Sequence, residues 1–211
     1  MGKGRAADQP YVLITGAAGN IGRSLAKALS DRYRVIGLDR PGTRADFPLI
    51  EVDFTKDDSI RRAFDTFRKD HGRRIASVIH LAAFFDFSGE DKPQYEAVNV
   101  EGSRRLVEAL TDFEVEQLVY AGTMLVHAPV KPGERIDETT PIDPGWAYPK
   151  SKARAEDAIR QAARGDMPVV FLHLAGVYDE ETSVPTFANQ IARIYERDFQ
   201  SHLYSGDTGA G

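Results

Sequence analysis

Tyr148 and Lys152 stand four positions apart in Tyr148-Pro-Lys-Ser-Lys152. On a helix that spacing puts both side chains on one face, one turn apart. Pro149 suits the first helical turn, where its missing N–H costs nothing. The pair can do acid–base chemistry. A free tyrosine titrates at about 10, and a neighbouring ammonium together with a positively charged ring bound beside it stabilises the phenolate and lowers that value. Proton exchange with an alcohol or carbonyl then comes within reach of neutral pH. Taken alone the spacing is common, and most chance occurrences are surface helix residues. A hydroxyl donor adds weight: Thr123, in Tyr120-Ala-Gly-Thr-Met-Leu-Val-His127, lies just past an apolar β-type run.

A second constellation is Thr15-Gly-Ala-Ala-Gly-Asn-Ile-Gly22. It follows the first apolar run and opens the first helix. Gly16 permits a tight turn, and Gly19 lets backbone approach a pyrophosphate. Gly22 lets the helix pack closely on the sheet. With Asn20 and Ile21 the loop ends on a helix N-terminus, whose free N–H groups and positive dipole end suit an anion. Asp39 closes the second strand, 17 residues beyond Gly22. A carboxylate there accepts both adenosine-ribose hydroxyls and repels a 2′-phosphate, which favours NAD over NADP. Arg40 and Arg44 lie close behind and soften that preference. The plainer alternative is a structural glycine turn with Asp39 as a surface charge, but loop and acid occur together.

These groups need a frame. Apolar runs at Tyr11–Ile14, Arg34–Leu38, Leu49–Val52, Ala76–Leu81, Gln117–Ala121 and Val169–Leu174 alternate with helical stretches. The helices are expected at Asn20–Ser30, Asp58–Lys69, Pro93–Leu110, Ala147–Ala163 and Thr186–Phe199. Continuous apolar strands between helices imply a parallel sheet covered on both faces. The expected class is α/β: a doubly wound parallel sheet in three α/β/α layers. Thr123 and the glycine loop then share the carboxyl edge of the sheet, where such folds bind ligands. Ala128 to Gly145 reads as a long loop, a length that is often functional.

The GxxGxxG spacing resembles the short-chain dehydrogenase/reductase superfamily, in its extended branch of NAD-dependent epimerases, dehydratases and 3β-hydroxysteroid-type dehydrogenases. The resemblance covers nearly the whole chain after residue 10 and implies a Rossmann fold binding NAD. It implies that Asp53, in Val52-Asp-Phe54, faces the adenine. It makes His80-Leu81-Ala82-Ala83 the segment lining the cofactor after the fourth strand. Asn99, in Val98-Asn-Val-Glu-Gly102, becomes the supporting asparagine. Lys152 also bonds the nicotinamide ribose. Thr123 stands where the family usually has serine and keeps the hydroxyl. Leu172-His-Leu-Ala-Gly-Val-Tyr178 resembles the start of the substrate-binding region, with Val177 lining the nicotinamide pocket. Two departures stand out. His127 takes the place of a family tyrosine, as a packing residue or one touching substrate or relaying a proton. His173-Leu174 replaces the usual Arg-Pro. The implied reaction has Tyr148 take the proton of a secondary alcohol while its carbon gives hydride to nicotinamide. Thr123 orients the oxygen. In an epimerase or dehydratase the hydride returns after rearrangement; in a dehydrogenase it does not.

Composition narrows the rest. The chain has 211 residues, 42% hydrophobic and 28% charged, with a formal net charge of −5. That allows one domain with a real core. A mildly acidic surface argues against nucleic-acid or anionic-membrane partners. There are no cysteines, which removes disulfides, thiolate nucleophiles and Cys metal sites. His80 and His127 lack partner ligands by spacing, so no metal is expected. No apolar run reaches the length of a membrane helix, and the leader lacks an apolar signal region, so a cytoplasmic protein is expected. The organisation reads as a leader over 1–9, an NAD-binding domain over 10–183, and the start of an incomplete substrate-binding region over 184–211. The partner is a small-molecule substrate. Phe84, Phe85 and Phe87 wall an apolar pocket or serve as core. The resemblance also implies a homodimer through the long helices at 93–110 and 147–163. The alternative function is a non-catalytic NAD-binding regulatory or structural module.

Overall fold

The computed structural model describes residues 9–86, 88–131, 133–163, 167–177, 192 and 195–196. The leader before Gln9, Phe87 and most of the expected 184–211 region and its Thr186–Phe199 helix lie outside the described residues.

Six strands form one parallel sheet: β1 Tyr11–Thr15, β2 Arg34–Asp39, β3 Leu49–Glu51, β4 Ser77–His80, β5 Leu118–Thr123 and β6 Val169–Leu174, in the order β3-β2-β1-β4-β5-β6. The central strand explains the layering. Successive side chains on a strand point to opposite faces. Leu13 therefore joins one core with Phe64, Phe67, Leu106 and Ile159, while Val12 and Ile14 join another with Ala26 and Val35. The first core is closed by α2 Asp57–His71, α3 Glu101–Leu110 and α4 Ala147–Ala163. The second is closed by α1 Asn20–Leu29, through Ala26, Leu25 and Leu29. The doubly wound α/β class is therefore observed. On β6, Val170 and Leu172 remain exposed among the described residues.

Local signals place the helix ends. α2 carries Asp57 and Asp58 in its first turn and Arg68, Lys69 and His71 in its last, matching both ends of the helix dipole. Two boundaries differ from expectation in ways that matter for the site. β5 runs on to Thr123 because Gly122 pairs with His173 and Thr123 with Leu174. The helix expected from Pro93 to Leu110 is interrupted: Tyr95–Val100 forms a π-type turn before α3. The Glu101 N–H reaches back to the Glu96 carbonyl. Such widened turns are frequent at functional sites, and apolar periodicity cannot reveal one residue of extra winding.

Candidate active site

A crevice of about 720 Å³ runs along the carboxyl edge, from the glycine loop to the foot of α4. Its glycines are there for space. Gly16 has φ +65°, and a Cβ on it would meet the Ala82 nitrogen at 2.9 Å. The Gly16 N–H donates to the Leu38 carbonyl (2.9 Å), so the turn is drawn down onto β2. At Gly22 a Cβ would lie 2.5 Å from the Ala17 oxygen. Only hydrogen fits between α1 and the loop. The N-terminus of α1 has no side-chain cap and no acid in its first turn, which leaves its N–H groups available to an anion. Asp39 braces the loop, accepting from the Ala18 N–H and the Arg40 N–H, both at 2.8 Å.

At the other end of the crevice sit Thr123, Tyr148 and Lys152. The Thr123 hydroxyl accepts from the Leu125 N–H (3.3 Å), so its own hydrogen is available for a further acceptor. The Tyr148 ring is boxed by Phe85 edge-on at 4.6 Å and by Trp146 at 5.7 Å. Lys152 is 2% exposed, with its ammonium 4.2 Å from the Tyr120 ring centroid, a cation–π contact.

Burial sets the ionisation of both groups. The Tyr148 phenol is pushed up to about 12, by burial and then by the neighbouring Tyr95 phenol. Lys152 is pulled down to about 7 by burial, with Glu156 opposing the shift. Burial by itself thus raises the phenol; the lowering expected from the sequence needs the ammonium together with a positively charged ring.

A buried relay joins the two ends. The Thr15 hydroxyl accepts from the Leu81 and Ala82 N–H groups and bonds His80 Nδ1 at 2.6 Å. Its hydrogen therefore goes to the ring, Nδ1 accepts, and Nε2–H donates to Ser103 at 2.9 Å. Ser103 in turn donates to the Asn99 carbonyl at 2.5 Å. His80 is neutral, its ring held down to about 3 by burial first and by Lys152 second. Asn99 is 1% exposed. Its side chain accepts from the Phe84 N–H and donates to the Phe84 carbonyl and to Ser151. It ties the strand-end segment to α4.

Of the residues singled out in the sequence, Gly16, Gly19, Asn20, Ile21, Gly22, Leu81, Ala83, Thr123, Tyr148, Lys152 and Val177 line this one crevice. Others do not line it. Asp39 holds the loop from behind. Asp53 accepts from the Thr55 N–H and hydroxyl and pairs with Lys56 at 3.1 Å. The Thr55 hydroxyl, most of all, holds its carboxyl below the usual range. Phe54 is buried, its ring 5.9 Å from His80. Ala82 contributes its N–H to Thr15, and Asn99 acts through Phe84 and Ser151. His127 is a packed residue, 8% exposed. Thr15, Ser103 and Ser151 were not foreseen. Thr15 heads the glycine loop, and Ser103 lies four residues past Asn99, a helical spacing that could have flagged it. Among the described residues, no group of three or more His, Cys, Asp or Glu is arranged to hold a metal ion, and no helix is long and apolar enough to cross a membrane.

Residues 12–207 match the model of the NAD dependent epimerase/dehydratase family. The chain belongs to that family. It is 34% identical to dTDP-4-dehydrorhamnose reductase of Aggregatibacter actinomycetemcomitans over 152 residues, which is 69% of this chain and 45% of that protein. It is 29% identical to UDP-glucuronate 4-epimerase of Thermodesulfobacterium geofontis over 167 residues, 69% of this chain and 49% of that protein. The solved UDP-glucose 4-epimerase of Thermus thermophilus, in complex with NAD, superposes with a TM-score of 0.74 at 31% identity, covering 89% of this chain and 62% of that one. The family member thus spans about half the length of the curated relatives it matches.

Proposed function

We propose that this family member is the NAD-binding part of an enzyme that oxidises or reduces a secondary alcohol or carbonyl of a small molecule, with Thr123, Tyr148 and Lys152 as its catalytic residues. The observation that carries the reading is the meeting of the glycine turn and these three side chains in one crevice. Residues 10–183 make up the dinucleotide domain, and 184–211 begin a substrate-binding region.

The residues fit NAD. The cradle at Gly16 and Gly22 excludes any side chain and leaves room for a pyrophosphate against the α1 N-terminus. Asp39, behind the glycine loop, would take the adenosine ribose, and the family resemblance would put Asp53 and Phe54 towards the adenine, beyond the crevice lining. Leu81, Ala82, Ala83 and Val177 flank the path to the nicotinamide. When bound, NAD supplies the hydride acceptor or donor.

The chain's own groups do the rest. Thr123 Oγ1 donates to the substrate oxygen and fixes its position. Tyr148 Oη exchanges a proton with that oxygen. Lys152 Nζ, buried one helical turn away, would stabilise the phenolate form of Tyr148 when it carries its proton. Phe85 and Trp146 keep water from the Tyr148 ring. Asn99 holds the Phe84 main chain and Ser151, and so positions α4. Dimerisation through α3 and α4 belongs to the same reading. It is supported by a groove between them lined by Val107, Leu110, Phe113, Ala158 and Met167.

Tyr148→Phe tests the assignment. NAD binding stays unchanged, while turnover of nucleotide sugars, sterols and small secondary alcohols, read as NADH formed or consumed and as epimerised or dehydrated product, falls about 100-fold or more. Unchanged turnover in the variant rejects the role of Tyr148.

A further inference from the structure

Behind the catalytic side chains three titratable residues from three elements form a chain. His127, in the loop after β5, brings Nε2 to 2.8 Å from Nδ1 of His173 on β6. His173 Nε2 lies 2.9 Å from Oε1 of Glu156 on α4. The outer nitrogen of His127, Nδ1, lies 3.2 Å from the Pro141 carbonyl oxygen. Space for this comes from Gly122. A Cβ there would lie 2.9 Å from the His173 ring and 3.0 Å from Glu156 Oε1.

The hydrogens can be counted. A carbonyl oxygen only accepts, so His127 Nδ1 carries hydrogen. If Glu156 is ionised, His173 Nε2 carries hydrogen as well. One more hydrogen must then lie between the two facing nitrogens, or two lone pairs confront each other at 2.8 Å. That makes three hydrogens on four ring nitrogens, one more than two neutral rings hold. Moving a proton onto Glu156 leaves the count unchanged: its carboxyl then donates to His173 Nε2, and His173 Nδ1–H donates to His127.

We propose that His127 and His173 share one proton that clamps the end of β5 to α4 through Glu156, and that losing it opens the clamp. The clamp reaches both sides of the site. His127 follows Thr123 by four residues, and Glu156 follows Lys152 by four. Both histidines and Glu156 are positioning residues, since they touch the site only through these neighbours. The hydrogen count at the facing nitrogens, not the net charge around the ring pair, is what calls for the extra proton. From α4, the Glu156 side chain is 3% exposed and pairs with Arg160 at 3.2 Å, while Lys152 lies one turn before it. From β5, the Tyr120 phenol is buried beneath Lys152. Arg160 holds one oxygen of the carboxylate, and the charged ring pair would hold the other. Removing the proton sets two ring lone pairs face to face at 2.8 Å, and the loop that begins at His127 comes free of β6.

The bearing of the clamp on Thr123 and Lys152 rests on the catalytic reading above; the clamp itself does not, and it can be read without cofactor or substrate. Trp146, the single tryptophan, reports on the loop from its place 5.7 Å from the Tyr148 ring. In the whole chain, side-chain 15N NMR and Trp146 emission are followed as pH rises. The two rings should change together at one midpoint, as a coupled pair does, and the emission should change with them. His173→Arg supplies donors to both Glu156 and His127 that never lose their protons. It should hold the low-pH emission at every pH. His173→Leu should show the high-pH emission throughout. If that variant does not fold, His127→Gln serves: its amide oxygen accepts from His173 without titrating, and the His173 midpoint should move by about 1 pH unit or more. Rings that titrate separately overturn the proposal. So does an emission change that persists unaltered in His173→Arg, or a His173 midpoint unmoved in His127→Gln.

Discussion

Gly22→Ala separates fold from cofactor cradle. The added Cβ would stand 2.5, 2.6 and 2.7 Å from the oxygen, Cα and carbonyl carbon of Ala17. All three are backbone atoms, so no side chain can swing away. Ordinary contact begins at 3.4 Å, so α1 must retreat from the loop by about 0.9 Å. Overpacking of this kind costs about 1–3 kcal/mol of stability. The larger effect falls on the crevice, because Gly16, Gly19, Asn20 and Ile21 move with the turn. Hydrogen bonds from the α1 N-terminus to an anion stretch beyond useful length. Losing one such charged bond costs about 1.5–3 kcal/mol, or about 10- to 100-fold in NAD affinity. Gly42→Ala is the control. Gly42 has φ +79° but nothing within 4 Å of its added Cβ. It loses about 1–2 kcal/mol to left-handed strain and keeps its NAD affinity. Thermal melts and isothermal titration with NAD measure both effects. The reasoning fails if Gly22→Ala binds NAD within about twofold of the parent, or if Gly42→Ala loses as much.

Two further predictions concern pH. Lys152 is held near 7 in the folded chain against an ordinary 10.5. Between those values the unfolded chain binds a proton that the folded chain lacks, so stability rises as pH climbs through that window. Below it the folded state carries the full cost of the buried charge, at most about 5 kcal/mol. Lys152→Met should therefore be more stable than the parent in urea melts at pH 6 and gain little near pH 10; a variant weaker at pH 6 contradicts this. His80 is held near 3 against 6.5, so between those values the unfolded chain takes up the extra proton and stability falls as pH drops. His80→Gln should lose about 1–3 kcal/mol at pH 7 yet show a flatter acid slope. An acid slope equal to the parent's refutes the assignment of a neutral buried ring.

Most of the frame was legible because the apolar runs are continuous and the glycine turn sits between a strand and a helix. All six strands and their parallel sense follow from that pattern. The crevice-facing residues were legible for the same reason: Gly16, Gly19, Gly22, Thr123, Tyr148 and Lys152 occupy fixed places relative to the strand ends. Three things were not. The π-type turn at Tyr95–Val100 leaves the apolar spacing almost unchanged, so a continuous helix was the natural reading. The direction of the Tyr148 shift depends on how much water burial removes, which spacing does not report. The His127–His173–Glu156 chain joins residues 46 and 17 positions apart. No local pattern marks such contacts. They meet because Gly122 and His173 pair across β5 and β6.

The central claim is that a dinucleotide lies along the sheet's carboxyl edge with its reactive ring against Tyr148. A crystal structure of the chain soaked with NAD tests it directly. The account predicts the pyrophosphate at the Gly16–Gly22 turn and the nicotinamide beside Tyr148 Oη, leaving room for one substrate oxygen between them at about 3–3.5 Å contacts. Density for NAD in the groove between α3 and α4, or a nicotinamide turned away from Tyr148 and Lys152, contradicts it.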